Sequence, residues 1–106
     1  MLRSTQIEQA LKKIKQMHRD EGLQIVGYFG SYADKSADAF SDVDVAYSID
    51  YEKFSTLYED GFSKLLQIDR VKKEIEALLH AKVDFISLQG GDKAFTDMMQ
   101  KNMRYL

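Results

Sequence analysis

The sequence predicts an α/β (α+β) fold in which a small mixed β-sheet is flanked by helices. Three apolar runs of strand length, residues 23–29, 42–49 and 82–88, alternate with segments of helical periodicity. A long helical segment separates the second run from the third, and this favours a parallel pair because parallel neighbours need a crossover connection. A chain of 106 residues, 44% of them hydrophobic, can build one core. We therefore expect a single domain over residues 1–106.

The first predicted elements are a helix and a strand joined by a turn. Thr5 followed by Glu8 fits a capping box, and apolar residues then recur at helical spacing as far as Gly22. Residues 23–29, with the sequence LQIVGYF, are rich in strand-forming side chains and end at Gly30. Helix one therefore leads directly into strand one.

The middle of the chain is predicted to hold strand two, a long helical segment and strand three. Residues 42–49, DVDVAYSI, alternate as a half-covered strand should. The helical pattern then runs over about residues 52–79, with an interruption near Gly61 or Asp69. Strand three, KVDFISL, follows at residues 82–88.

The end of the chain is predicted to form a last helix and a short edge strand. The helix follows Gly90 and runs over about residues 92–101, and the closing MRYL forms the strand. Three methionines at this end fit either core filling or a partner surface: Met98, Met99 and Met103.

The composition excludes several classes of function. The net charge is −2 and the basic residues are dispersed, so nucleic acid is not expected as a direct ligand. No apolar run reaches the length of a membrane span, and the start lacks a signal peptide's apolar centre, so we expect a soluble, cytoplasmic protein. The absence of cysteine excludes disulfides and thiolate zinc sites. His18 and His80 are interpreted as helix-surface or helix-end residues without chemistry, so any metal would be held by oxygen.

Three aspartates and a Gly-Ser pair are predicted to meet at one end of the sheet. Asp42 and Asp44 point to the same face of strand two, because side chains alternate with period two. Asp84 lies near the start of strand three, and parallel pairing would bring it beside them. Gly30 and Ser31 close strand one, which should run antiparallel to strand two. Each feature alone fits a solvated strand face or an ordinary turn, but together they indicate a site.

Such a cluster of carboxylates is chemically suited to a hard divalent cation. Mg²⁺ commonly takes one or two carboxylates together with phosphate oxygens and water. In two-metal phosphoryl or nucleotidyl transfer, Asp42 and Asp44 would bridge both ions and Asp84 would serve the nucleophile side. Gly30 lets the backbone approach a triphosphate, and Ser31 offers its hydroxyl and N–H groups to phosphate oxygens.

These motifs resemble a known family. Gly30-Ser31, ten intervening residues, Asp42-x-Asp44 and a later VDF that carries Asp84 are similar to the DNA polymerase β-type nucleotidyltransferase superfamily, and specifically to its minimal (MNT) branch. The resemblance covers almost the whole chain and implies one minimal nucleotidyltransferase domain with a polymerase β palm-like fold. It implies that the Gly-Ser turn holds the β and γ phosphates of a nucleoside triphosphate. It also implies that the aspartates bind Mg²⁺, as two ions, for transfer of a nucleoside monophosphate to a hydroxyl.

One departure from the family pattern lies beside the Gly-Ser turn. Family members often carry Ala-Arg-Gly where this chain has Ala33-Asp34-Lys35. A negative charge therefore replaces a positive one near the expected phosphates, unless Lys35 supplies the cation.

The resemblance also implies a partner. A domain of this size builds only the nucleotide half of a transferase, so the acceptor must come from elsewhere. Minimal members commonly pair with a helical HEPN protein in toxin–antitoxin systems. The leading hypothesis is therefore an antitoxin that transfers AMP from ATP to a tyrosine of a HEPN toxin, in a hetero-oligomer. Two alternatives stay open. One is a non-catalytic binding module, which Asp34 favours, and the other is the nucleotide-binding subunit of a two-chain transferase acting on a small molecule or nucleic acid.

Overall fold

Four strands form one sheet within the part of the chain that the computed structural model describes, residues 1–89 and 91–106. The strands are β1 (Leu23–Phe29), β2 (Val43–Ile49), β3 (Val83–Ser87) and β4 (Arg104–Tyr105). Their order is β3-β2-β1-β4, with β2 antiparallel to β1 and parallel to β3, and β4 antiparallel to β1. The predicted mixed sheet, both predicted strand directions and the closing edge strand are confirmed. Gly90, placed before the last helix in the prediction, lies outside the described residues.

Helices connect and flank these strands. They are α1 (Ser4–His18), α2 (Ser31–Asp34), α3 (Tyr51–Leu57), α4 (Gly61–Leu79) and α5 (Lys93–Lys101), with a 3₁₀ turn at Arg19–Glu21 after α1. The predicted interruption of the long helical segment is at Gly61, whereas Asp69 lies inside α4 and pairs with Lys73 at 2.9 Å. The α3–α4 unit is the crossover that lets β2 and β3 run parallel.

Aspartate caps explain where three of the helices begin. Asp50, Asp60 and Asp92 precede α3, α4 and α5, and each carboxylate accepts a hydrogen bond from a backbone N–H of the first turn. Helix α1 begins differently, because Arg3 is its N-cap and the Arg3 N–H donates to Gln6 Oε1 at 2.8 Å. The capping box predicted at Thr5 and Glu8 is therefore wrong.

The main core lies on one face of the sheet, under α1 and α4. The core residues that these two helices contribute are Ile7, Leu11, Ile14, Val71, Ile75 and Leu79, all buried. They pack against strand residues that include Tyr28, Val43 and Val45. Each fully buried aliphatic side chain of this kind contributes about 1.5–3 kcal/mol relative to an exposed one. Most of the stabilisation from buried side chains therefore comes from this face of the sheet.

The opposite face of the sheet is covered more sparsely. Its buried residues are Phe29, Ala46 and Met99, and Met99 is the buried side chain through which α5 contacts the strands. Met103 packs beside this cluster while Met98 is exposed, so the methionines divide between the two predicted roles. Asp44 and Ala46 are two residues apart in β2 and therefore point to this face.

A buried polar cluster joins α1 to α4. The side chain of His18 is buried, with Nδ1 2.7 Å from Glu21 Oε2 and Nε2 3.0 Å from Glu74 Oε1. His18 is the last residue of α1, as expected of a helix-end residue, but its side chain is buried and not on the surface. The carboxylates of Glu21 and Glu74 supply partners for both ring nitrogens, which makes burial possible. His80 closes α4 in a left-handed conformation with φ of 51°, so it is a helix-end residue as expected. No helix of the described residues is long and apolar enough to cross a membrane.

The first testable prediction concerns Gly27, which pairs with Tyr105 of β4. A Cβ at Gly27 would strike the carbonyl oxygen of Arg104, a backbone atom that cannot rotate away. Gly27→Ala should therefore separate β4 from β1 and lower the free energy of unfolding by about 1–3 kcal/mol. Urea unfolding measures the loss, and faster amide exchange at residues 104–106 locates it.

Gly61→Ala is the matched control, since nothing lies within 4 Å of a Cβ built there. Alanine favours a helix over glycine, so this variant should be unchanged or stabilised by up to about 1 kcal/mol. Equal destabilisation of the two variants would contradict the contact assigned to Gly27.

Candidate active site

One row of residues crosses the sheet where β1 ends and where β2 and β3 begin. Asp44 pairs with Phe29 of β1 on one side and with Asp84 of β3 on the other. Register partners in neighbouring strands project to the same face, so the carboxyl groups of Asp44 and Asp84 are direct neighbours. Asp44 is partly buried and Asp84 is exposed. Parallel pairing thus brings together two predicted site residues that are forty positions apart in the sequence.

The Gly-Ser turn lies against Asp44. Gly30 follows Phe29 and has φ of 73°, a left-handed value that favours glycine. A Cβ at this position would collide with Asp44 Oδ2, so the missing side chain also provides space for the carboxylate. Helix α2 begins at Ser31, and the N–H groups of Ala33 and Asp34 each donate to the Gly30 carbonyl at 3.0 Å.

Asp42 stands at the margin of this arrangement. It is exposed and precedes β2 by one residue, although the prediction placed it inside the strand. The backbone of the next residue, Val43, is held in place because its N–H donates to the Lys82 carbonyl at 3.0 Å. The charge of Asp42 contributes to raising the pKa of Asp44, so the two carboxylates are within electrostatic reach.

Comparison with known proteins shows which family the chain belongs to. The family model described as polymerase beta, nucleotidyltransferase matches residues 11–106. The chain belongs to this nucleotidyltransferase family. The resemblance drawn from the Gly-Ser and Asp-x-Asp motifs is therefore confirmed at the level of the family.

Solved structures agree with this assignment at the level of the fold. A protein classed as a minimal nucleotidyltransferase superimposes with a TM-score of 0.74 at 21% identity, over 99% of this chain and 97% of its own. A toxin–antitoxin structure with AMP-PNP has a TM-score of 0.66 at 19% identity, over 92% of this chain and 70% of its own. A comparison with curated protein sequences gave no significant match.

The electrostatics of the candidate site centre on Asp44. Burial raises the pKa of this carboxyl to about 6, assisted by the charge of Asp84, a hydrogen bond between the two carboxyl groups and the charge of Asp42. No ion pair in residues 1–89 and 91–106 includes any of the three aspartates. The protein itself therefore leaves this negative charge without a fixed counter-charge.

The donor chemistry of the three aspartates suits a hard divalent cation, because every donor is a carboxylate oxygen. Among the described residues, however, no group of three or more His, Asp or Glu side chains is close enough together to hold a metal ion. Asp44 and Asp84 form a neighbouring pair, and Asp42 lies outside their immediate contact. Metal binding by Asp42, Asp44 and Asp84 stays a prediction.

Asp34, the departure from the family pattern, has a local structural role. Its Oδ1 accepts hydrogen bonds from the backbone N–H of Ser36 at 2.9 Å and from the Ser36 hydroxyl. These two bonds lower the pKa of Asp34. The carbonyl of Ser31 accepts from the N–H groups of Lys35, Ser36 and Ala37, so the same turn fixes the residue that follows Gly30. Asp-x-Ser is an Asx-turn pattern, and this signal was available in the sequence.

The pKa of Asp44 generates the second prediction, which concerns stability in EDTA. Because the folded chain holds this proton more tightly than the unfolded chain, the contribution of Asp44 to stability is full below about pH 4 and is lost as the pH rises through about 6. Asp44→Asn should remove that fall and, at pH 7, raise the free energy of unfolding by about 1–2 kcal/mol after allowance for solvent screening. Urea unfolding between pH 4 and 8 measures both effects.

Asp20→Asn is the control, because Asp20 is exposed in the 3₁₀ turn before β1, at the other end of that strand from Gly30. It should keep the wild-type pH profile. A lower stability of Asp44→Asn at pH 7 would show that the charged carboxylate supports the fold, contrary to the prediction.

Proposed function

We propose that this chain is a Mg²⁺-dependent nucleotidyltransferase that transfers AMP from ATP to a hydroxyl, the acceptor being a tyrosine of a HEPN-type toxin that it silences as an antitoxin. The observation that carries the proposal is the contact between the Gly30 turn and Asp44, beside Asp84. In this contact, a turn suited to binding phosphates lies next to a pair of carboxyl groups without a counter-charge.

The Gly-Ser turn is assigned to the phosphates. Gly30 has no side chain to block the approach of a triphosphate, and Ser31 contributes its hydroxyl and its N–H. The hydrogen bonds from residues 35–37 to the Ser31 carbonyl hold this turn in place before a nucleotide arrives. Binding then needs little reorganisation of the loop, which favours affinity.

The aspartates are assigned to the reacting centre. Asp42, Asp44 and Asp84 would hold the divalent cations, and a bound Mg²⁺ supplies neutralisation of charge on the phosphates. Asp84 lies on the nucleophile side and accepts the proton of the attacking hydroxyl. The hydroxyl oxygen forms a bond to the α-phosphorus, the bond between that phosphorus and the bridging oxygen breaks, and pyrophosphate leaves with the bonding electron pair.

A protein partner is proposed for two reasons. The Gly30 turn and the aspartates account for the proposed phosphate and metal contacts, whereas a transferase must also orient an acceptor. In addition, one structure with the same fold is a toxin–antitoxin with AMP-PNP. We propose that the HEPN-type partner supplies the tyrosine and that the two chains form a hetero-oligomer.

The third prediction is that ATP binding depends on a divalent cation. Without one, the triphosphate and the aspartates repel each other, so affinity in EDTA should be weaker by roughly tenfold or more. Isothermal titration calorimetry with ATP, in Mg²⁺ and in EDTA, measures the difference. Equal affinity under the two conditions would refute the metal role of the aspartates.

The fourth prediction tests transfer itself. Incubation of the HEPN-type partner with this chain, Mg²⁺ and ATP should raise the partner's mass by whole AMP units of roughly 329 Da, because pyrophosphate leaves. Asp44→Asn with Asp84→Asn should slow the transfer at least about a hundredfold. Asp20→Asn should transfer at the wild-type rate. Intact-protein mass spectrometry over a time course gives the rates.

A steric antitoxin would give a different pattern. In that case no nucleotide triphosphate with Mg²⁺ or Mn²⁺ would add mass to the partner. The Asp44→Asn, Asp84→Asn variant would still neutralise it. That combined result would replace the enzyme with the binding-module alternative.

A further inference from the structure

A groove leads away from Asp42 across the start of α1. It consists of three adjoining cavities of about 490, 210 and 340 Å³. Leu2 lines all three, while Tyr32 is shared by the first two and Leu79 by the first and third. The groove therefore runs between α2, α1 and the turn that follows α4. We call this feature the Asp42 groove.

The charge of the Asp42 groove is opposite to that of the whole chain. Its lining includes four basic side chains, Arg3, Lys13, Lys35 and Lys82. Among the described residues that line it, Asp42 is the one carboxylate, and it stands at the end nearest the candidate active site. The chain as a whole carries a net charge of −2. A local basic surface on an acidic protein selects for an acidic ligand.

Phe40 projects from the wall of the groove. Its side chain is 94% exposed, although the backbone around it is held by two hydrogen bonds. The Phe40 N–H donates to Asp38 Oδ1 at 2.9 Å, and the Asp38 N–H donates to Ser41 Oγ at 3.0 Å. An ordered turn thus presents the exposed aromatic ring of Phe40 two residues before Asp42. Aromatic side chains placed in this way are frequent anchors of protein interfaces.

We propose that the Asp42 groove is the docking site for an acidic segment of the protein that carries the acceptor hydroxyl, with Phe40 as the apolar anchor of that segment. This inference rests on the proposed function, because it names the route by which the acceptor reaches Asp42 and the Asp44–Asp84 pair. The Val43–Lys82 backbone hydrogen bond fixes the groove wall to the start of β2. A segment held there lies beside Asp42.

A protein segment fits the groove better than a nucleic acid. Leu2, Leu79 and Phe40 place apolar surface between the cations, and the cations come from α1, the α2 turn and the start of β3 rather than from one continuous row. Single-stranded nucleic acid needs a basic path that follows its backbone. An acidic peptide with aromatic or aliphatic side chains uses both kinds of surface.

The test uses a fluorescein-labelled peptide, Asp-Glu-Tyr-Glu-Asp-Phe-Glu, and fluorescence anisotropy at low ionic strength. The wild-type chain should bind it more tightly than the same peptide with lysine in place of each acid. Arg3→Glu with Lys13→Glu reverses one charge in each of the two cavities that Asp42 does not line, and should weaken binding about tenfold or more. Phe40→Ala should weaken it about fivefold.

Two matched controls lie outside the groove. Lys53→Glu with Lys101→Glu makes the same change in net charge on α3 and α5, and Phe62→Ala removes a phenyl ring that is 72% exposed on α4. Both should bind the acidic peptide within about twofold of wild type. Thermal melting checks that every variant is folded.

Several outcomes would overturn the inference. These are equal binding of the acidic and basic peptides, wild-type affinity in the groove variants, and displacement of the peptide by an oligoadenylate that binds more tightly. Calorimetry with Mg²⁺ and ATP can give one more such outcome. If Phe40→Ala lowered the affinity for ATP as much as it lowered the affinity for the peptide, the groove would be assigned to the nucleotide. Groove-dependent peptide binding without any nucleotide transfer would support the groove and refute the enzyme.

Discussion

Parallel, in-register pairing of β2 with β3 is the constraint on which the candidate site depends. It sets Asp44 beside Asp84, forty residues farther along the chain, and the antiparallel partner on the other side of Asp44 is Phe29. Gly30 follows Phe29 at the end of β1, and its missing side chain leaves room for Asp44. A slip of one residue between β2 and β3 would turn one carboxyl group to the opposite face and separate the pair. A slip between β1 and β2 would move Asp44 away from Gly30. The α3–α4 crossover, which makes the parallel pairing possible, thus supports the site without contacting it.

The row of Phe29, Asp44 and Asp84 is compatible with a stable fold because the two faces of the sheet are covered unequally by helices. Val43 and Val45 point into the core under α1 and α4, and they fix β2 by burial. Asp44 points to the other face, where α5 buries one methionine. Burial and, after it, repulsion raise the pKa of Asp44, and both act at an edge of the sheet where solvent reaches Asp84. A carboxyl pair under the main core would be far more costly, because burial without a partner disfavours charge.

The loop after Gly30 contributes to both surfaces of the proposed function. Asp34 uses its carboxylate to close a turn with Ser36, and that turn also positions the carbonyl of Ser31. The loop then continues to Phe40 and Asp42, so one short segment forms both the proposed phosphate turn and a wall of the Asp42 groove. Nucleotide and acceptor would approach the same carboxylates from surfaces built by neighbouring residues.

The sequence by itself determined the elements and their directions, since periodicity, glycine and crossover length act locally or through connectivity. It also indicated Gly30, Ser31, Asp42, Asp44 and Asp84 as a set, because spacing carries the family pattern. Contacts between distant segments decided the rest. His18 is buried because Glu21 and Glu74 meet both of its ring nitrogens, and the cations of the Asp42 groove converge from separate elements. Such features depend on which side chains meet after folding, and a pattern along one chain does not encode that proximity.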